Sequence, residues 1–280
     1  MLIVVTIFVM LWPVGSLASA DFRLPSTLSV NASGGQESSG ALAMDLGLSL
    51  QNGLQLMGGL DLSRVKVDAD DVRSSGVNLG VGTNPLDPIS GLLRAEAYRS
   101  GDTFAHRGAS AALTWMPNRF AFTVEPGARQ IELKTISRPL IPSRTIETQS
   151  QSLKVLVEFF ASRLASFRFF VSRSWYEDDL SFLTRDLAQV LVSQDALMAS
   201  MSLVRESIGV GVSTSMKNFA FHLDTFRTTA EADRAVIRNL SGTVAYRFNR
   251  KWAASLNTLF FRQDNDEVSQ SGSVGVTLSW

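Results

Sequence analysis

The chain closes on Gln270-Ser-Gly-Ser-Val-Gly-Val-Thr-Leu-Ser-Trp280. Laid out as an extended segment, it puts Val274, Val276, Leu278 and Trp280 on one face and Ser273, Gly275, Thr277 and Ser279 on the other. Successive side chains of a strand point to opposite faces, so a period of two over this length specifies a strand with one apolar and one small polar face. An edge strand of a soluble sheet carries the same pattern, so the preceding residues have to decide between the two.

Read backwards and forwards from this segment, the same alternation recurs about every 18 residues. Leu28 and Val30 open the first run. Leu42, Met44, Leu46, Leu48 and Leu50 share a face, turn at Asn52-Gly53 and return through Leu54, Leu56, Leu60 and Leu62. Asn-Gly is a strong hairpin signal because both residues tolerate positive φ. A charged loop containing Lys66, Asp68, Asp70, Asp71 and Arg73 is expected next. Further runs start at Val77, Leu93 and Ala109. Another starts at Phe120, with a bulge expected at Pro126-Gly127, after which Ile131 and Leu133 would take over the apolar face. The remaining runs start at Leu153, Phe167, Leu197, Phe219, Leu240, Trp252 and Val274. A parity shift after Arg205-Glu206 marks a second bulge, within the tenth run. Leu180, Leu183, Leu187, Val190 and Leu191 recur instead at helical spacing behind Asp178-Asp179, which reads as a short helix on or in a barrel mouth.

The expected fold is all-β: a transmembrane, antiparallel, up-and-down β-barrel of about 14 strands, with 12 or 16 as alternatives. The apolar face carries almost no charge, while the other holds Gly, Ser, Ala, Thr and Asn with scattered charges. Burying so much apolar surface inside one soluble core of 280 residues is not feasible. The connections alternate short with long. The short ones fall at 51–53, 84–89, 116–119, 162–166, 215–218 and 249–251, as expected of periplasmic turns. Trp115, Phe120, Phe159, Phe167, Phe219, Phe248, Trp252 and Trp280 sit on the apolar parity near the short turns, forming a membrane girdle; Trp175 and Phe260 are candidates for the opposite girdle.

This pattern, with its terminal aromatic, resembles the Gram-negative outer-membrane β-barrels, porins among them. The resemblance covers residues 21–280 and is one of pattern, without a subfamily motif. It implies residence in outer-membrane lipid and recognition of the C-terminal strand by the barrel-assembly machinery. The N-terminus agrees. Leu2 to Trp12 is almost wholly apolar, and Ala18-Ser19-Ala20 has the small-x-small form of a signal-peptidase site, so 1–20 is expected to be removed on export. No Lys or Arg precedes the apolar run.

The 26 basic and 26 acidic residues balance, which argues against a nucleic-acid partner. The absence of cysteine excludes disulfides, zinc–thiolate sites and thiol nucleophiles. No Gly-rich phosphate loop or metal-spaced cluster stands out, so neither a cofactor nor a metal is expected. On the polar parity, Asp45, Asp61, Arg94, Glu96, Glu158, Arg168, His222, Asp224 and Arg247 are expected to line the lumen. Register through the turn between Phe159 and Phe167 would place Glu158 opposite Arg168 as an ion pair.

The functional expectation is a channel for passive diffusion of small hydrophilic solutes. Two other classes stand beside it. One is the barrel of a polysaccharide or protein export system, which genomic neighbours would reveal. The other is a barrel-wall lipid hydrolase using His222 and Asp224, which replacing His222 would test. Catalysis is not expected, because alternate residues of one strand share a face whatever their role.

Overall fold

The computed structural model describes residues 25–35, 40–50, 52–67, 70–102, 104–134, 145–178, 203–231, 234–263 and 268–280. They form fourteen strands. These are β1 (Thr27–Gly35), β2 (Gly40–Ser49), β3 (Leu54–Val67), β4 (Asp70–Thr83), β5 (Ile89–Ser100), β6 (Phe104–Trp115) and β7 (Phe120–Lys134). There follow β8 (Thr145–Phe160), β9 (Ala165–Tyr176), β10 (Val204–Met216), β11 (Phe219–Ala230), β12 (Val236–Arg247), β13 (Trp252–Gln263) and β14 (Val268–Ser279). Each strand pairs antiparallel with its sequence neighbours, and β14 returns to β1, so the sheet is a closed barrel. Ser26 and Trp280 exchange both backbone bonds at 3.0 Å, sealing the seam next to the short turns. Closure leaves no unpaired edge, which a barrel in lipid requires.

The turns at one end are short because side chains and left-handed residues complete them. Gly53 has φ 80°, and Asn118 and Lys217 have φ 54° and 52°. Asn249 Oδ1 accepts the N–H groups of Lys251 and Trp252 at 2.8 and 3.0 Å. At this end the outward aromatics touch in series: Trp115 with Phe122 at 5.8 Å, Phe120 with Phe159 at 5.1 Å, and Phe219 with Tyr246 at 4.7 Å.

Two side-chain parities run round the ring. One holds the exposed apolar residues, such as Leu79, Leu93, Val210 and Leu256. The other holds the buried Ser29, Asn31, His222 and Asp224. Polar side chains of the second parity reach across an intervening strand to meet, which only the concave face allows, so this parity is the interior.

Two expectations need correction, and a third holds. Pro126 makes no bulge: the β7·β8 register runs unbroken from Phe120↔Phe159 to Lys134↔Thr145. Ile131 and Leu133 therefore stay on the interior parity, where they are 0% and 1% exposed. Proline removes one N–H from the ladder without forcing an extra residue into the strand. The charged loop read around Lys66 to Arg73 is largely strand, since β3 runs to Val67 and β4 starts at Asp70. The bulge after Arg205 does exist, as a register shift between Val204 and Glu206 against β11. The expected helix at 180–191, the residues 197–202 and the signal segment 1–20 lie outside the described residues.

Candidate functional site: the barrel interior

The interior wall is built by a repeated local device. On one rung of the ladder a glycine stands on the middle strand, and longer side chains on the two flanking strands meet above it. Glu96, Gly108 and Arg129 share such a rung, and so do Arg168, Gly211 and Asp224. Asp45, Gly59 and Asn78 share another, as do Asn31, Gly275 and Ser255. A Cβ on Gly108 would stand 2.7 Å from Arg129 Cγ, and one on Gly211 would overlap Asp224 Oδ1 and lie 2.9 Å from Arg168 Nε. Glycine is needed at these positions for the room it leaves, since the backbone there is ordinary strand.

Nearer the short turns, Arg168 grips Asp224 with Nε–H donating to Oδ1 at 2.8 Å and Nη2 donating to Oδ2. His222, two residues before Asp224 on the same face, places Nε2 at 2.6 Å from that same Oδ2. Ser213, directly opposite His222, lies with Oγ at 2.5 Å from Nδ1. In the tautomer with its proton on Nε2, His222 donates to Asp224 and accepts from Ser213, an arrangement in which the four side chains satisfy one another. The cluster is deep: His222 is 5% and Asp224 6% exposed.

Serine, histidine and aspartate in hydrogen-bonded sequence suggest a nucleophile, a base and an orienting acid. Acyl transfer also needs free N–H donors aimed at the developing oxyanion. Around Ser213 the backbone is committed to ladders with β9 and β11, and Asp224 already holds a guanidinium. What this arrangement can do chemically is fix charge in the wall.

Higher up, Arg129 Nε donates to Glu96 Oε1 at 2.7 Å. Glu125 accepts from Ser110 Oγ at 3.0 Å and lies 3.9 Å from Lys154 Nζ. At the level of the long connections the interior of β4 to β7 turns apolar. Val72, Phe104, Ile131 and Leu133 are buried there, and Tyr98 stacks on His106 at 5.3 Å. Phe170 and Phe226 meet at 6.0 Å over Gly209. By contrast, many interior positions of β1, β2, β13 and β14 are small or polar, among them Ser29, Asn31, Ala43, Ser255, Asn257, Ser273 and Thr277, although Leu259 of β13 interrupts them nearer the long connections.

Of the residues singled out from sequence, Asp45, Asp61, Arg94, Glu96, Glu158, Arg168, His222, Asp224 and Arg247 all fall on the interior parity. The structure brings together Arg168, His222 and Asp224, and joins Glu96 to Arg129. It does not join Glu158 to Arg168. The two face each other on the expected rung, but Glu158 Oε1 accepts from Ser166 Oγ at 2.6 Å while Arg168 turns to Asp224. Sequence reasoning missed Ser213, Arg129 and Lys154, and it missed the apolar layer. The available signal for that layer was the unbroken odd parity from Ala121 to Leu133. Trp115, Phe120, Phe167, Phe219, Phe248, Trp252 and Trp280 are exposed on the outer face, and Phe159 lies beside Phe120 there with its ring tilted. Among the described residues, no group of three or more His, Cys, Asp or Glu side chains could hold a metal ion.

No family model matches the sequence, and no curated protein matches it. The fold is nonetheless shared with solved structures. A CymD monoaromatic hydrocarbon channel superposes with a TM-score of 0.62 at 10% identity, over 92% of this chain and 89% of that one. The Ralstonia pickettii toluene transporter TbuX gives 0.59 at 8% identity, over 93% and 90%. A bacterial polysaccharide outer membrane secretin gives 0.52 at 10% identity, over 93% and 100%. The architecture is that of the outer-membrane β-barrels.

Proposed function

We propose that this barrel is an outer-membrane channel through which small hydrophilic solutes diffuse passively. In this reading the chain is exported with a cleaved N-terminal signal, and its C-terminal strand is read by the barrel-assembly machinery. The observation that supports it best is the division of the wall. A closed fourteen-strand ring carries a continuous apolar exterior, while its interior holds fixed charges of both signs and a stretch of small or polar residues on β14, β1 and β2. Such an interior holds water, and mixed fixed charges give weak ion selectivity. Planar-bilayer recording of the refolded protein is the test. Ohmic single-channel steps are expected; a barrel that inserts and never conducts is no diffusion channel. Deleting Trp280 should lower assembly in cells while leaving detergent refolding mostly intact, and equal loss in both settings would reduce Trp280 to a packing residue.

A second reading has its own observation. The buried Phe104, Ile131 and Leu133 form an apolar layer inside the barrel, as a route for apolar solutes would need, and two proteins of similar fold are described as a hydrocarbon channel and a toluene transporter. The variant Ile131→Ser/Leu133→Ser separates the two. If the layer only narrows a polar pore, ion conductance rises. If it carries apolar solutes, uptake of a monoaromatic such as toluene into vesicles falls in the variant.

A further inference from the structure

The rim at the short-turn end carries a feature that the channel reading leaves unused. From the β6–β7 connection onward every short turn holds a cation: Arg119, then Arg163, then Lys217, then the pair Arg250 and Lys251. The two short turns before them hold none, and Asp87 is the sole acid among the described residues of these turns. All of the cations are exposed, and no ion pair to any of them occurs among the described residues. The turns are bonded to one another, so the cations form one arc. Phe160 N–H donates to Arg119 C=O, Ser215 N–H to Leu164 C=O and Arg247 N–H to Asn218 C=O, each at 2.8 Å. Neighbouring strands lie about 4.8 Å apart, so successive turns follow at about 10 Å. A row of like charges at that spacing is unfavourable by itself and attracts an anion to lie along it.

A second feature opens above the middle of the arc. The outer wall is hollowed into an apolar groove of about 500 Å³. Its lower rung runs Phe159–Phe167–Val212–Leu223, and its upper rung passes through Phe169 and Val210. Phe159 is the last outward side chain of β8 and pairs with Phe167, so the groove reaches down to the 161–164 turn that carries Arg163. Arg119 and Lys217 stand on the turns to either side. Phe120 follows Arg119 directly and Phe219 lies two residues beyond Lys217, both exposed on the outer face. Aromatic side chains of this kind sit at the headgroup level of a bilayer, which puts the arc among the phosphates. Guanidiniums bind phosphate oxygens through paired donors, and an apolar hollow on a lipid-facing wall accepts acyl chain. A soluble acidic partner would satisfy the cations and leave the groove bare; a molecule with an anionic head and an apolar tail fills both.

We infer that the short-turn end of β8 to β11 is a docking site for an anionic phospholipid, with its phosphate on Arg163 between Arg119 and Lys217 and an acyl chain in the groove above. The site rests on the membrane placement proposed above and adds a specific partner to it, in the leaflet that meets the short turns.

The test uses the full barrel refolded into phosphatidylcholine vesicles, with phosphatidylglycerol added in steps as the probe. Bound lipid is read by native mass spectrometry and by the rise in the heat-unfolding midpoint. Phosphatidylglycerol should bind the parent on the order of 100-fold more tightly than it binds Arg119→Gln/Arg163→Gln/Lys217→Gln. Phosphatidylcholine should be retained alike by parent and triple variant. Val212→Phe keeps the cations and fills the groove, and it should weaken phosphatidylglycerol while leaving the response to glycerol 1-phosphate, the head without its chains, unchanged. A parent that shows no preference for phosphatidylglycerol over phosphatidylcholine overturns the site without recourse to any variant, and so does equal binding by parent and triple variant. An equal midpoint shift with glycerol 1-phosphate alone makes it an ion site and overturns the lipid. Binding of polyglutamate that the triple variant loses, with no response to phosphatidylglycerol, assigns the arc to an acidic protein and also overturns the lipid. A chain that fails to insert, judged by heat-modifiable migration in the same samples, overturns the membrane placement as well. An inserted barrel without lipid discrimination overturns this inference only.

Discussion

Glu96 and Arg129 meet over Gly108, and Arg168 and Asp224 meet over Gly211; each is an arginine and a carboxylate on the two strands that flank a glycine. Their surroundings differ. In the first bridge Arg129 and Glu96 keep 51% and 29% of their side-chain surface exposed. In the second Arg168 and Asp224 keep 13% and 8%, and His222 and Ser213 close the shell around the carboxylate. Water screens an exposed pair so well that its net worth is about 0–1 kcal/mol. A buried pair is costly to break, because removing one partner leaves the other charged and unsolvated. The upper bridge is therefore suited to shaping the field that an ion meets, and the lower one to holding three strands in place. Solvent access, and not the distance between the charges, separates the two roles.

The largest expected effect that would break this contrast comes from the lower bridge. Asp224→Asn should cost about 3–5 kcal/mol in denaturant unfolding of the vesicle-inserted barrel, and Arg168→Met combined with Asp224→Leu should restore most of it. If Asp224→Asn costs no more than Glu96→Gln, burial does not distinguish the bridges. Gly211→Ala comes next, at about 1–3 kcal/mol, because its Cβ takes the place of the carboxylate. The same substitution in an Asp224→Ala background should cost a fraction of that, and strictly additive costs would show that the glycine serves something other than the bridge. The smallest change in stability, about 0–1 kcal/mol, belongs to Glu96→Gln. Its effect should appear instead as a shift of the reversal potential in a salt gradient toward anion selectivity, and an unchanged potential would remove Glu96 from the conduction path.

The ring itself was legible in the sequence because lipid imposes a simple rule: alternate residues must be apolar, and breaks must fall where the chain turns. Strand number, the Phe159–Phe167 register and the outward aromatics follow from that rule. Partner choice inside the barrel does not. Glu158 and Arg168 are opposite each other as expected, yet Arg168 reaches over Gly211 to a strand that is second in line, a contact no pairwise reading of neighbours contains. Ile131 and Leu133 were misplaced for a related reason. By the alternation rule apolar residues belong to the lipid face, and only a bulge at Pro126 would carry these two there. An interior that turns apolar at one level departs from the alternation rule at that level.

The interior glycines also bear on how the barrel finds its girth. A one-residue slip of a strand turns its apolar side chains inward and is heavily penalised, but a two-residue slip leaves every face unchanged and alternation cannot detect it. On β10 the glycines detect it. Moved one way, Ser213 would lie under the Arg168–Asp224 bridge; moved the other, Ser207 would lie under the Phe170–Phe226 contact now seated over Gly209. Either shift drives a side chain into occupied space. Strand advance fixes shear, and shear with strand number fixes barrel diameter, so these glycines serve as gauge marks that set the bore of the finished tube.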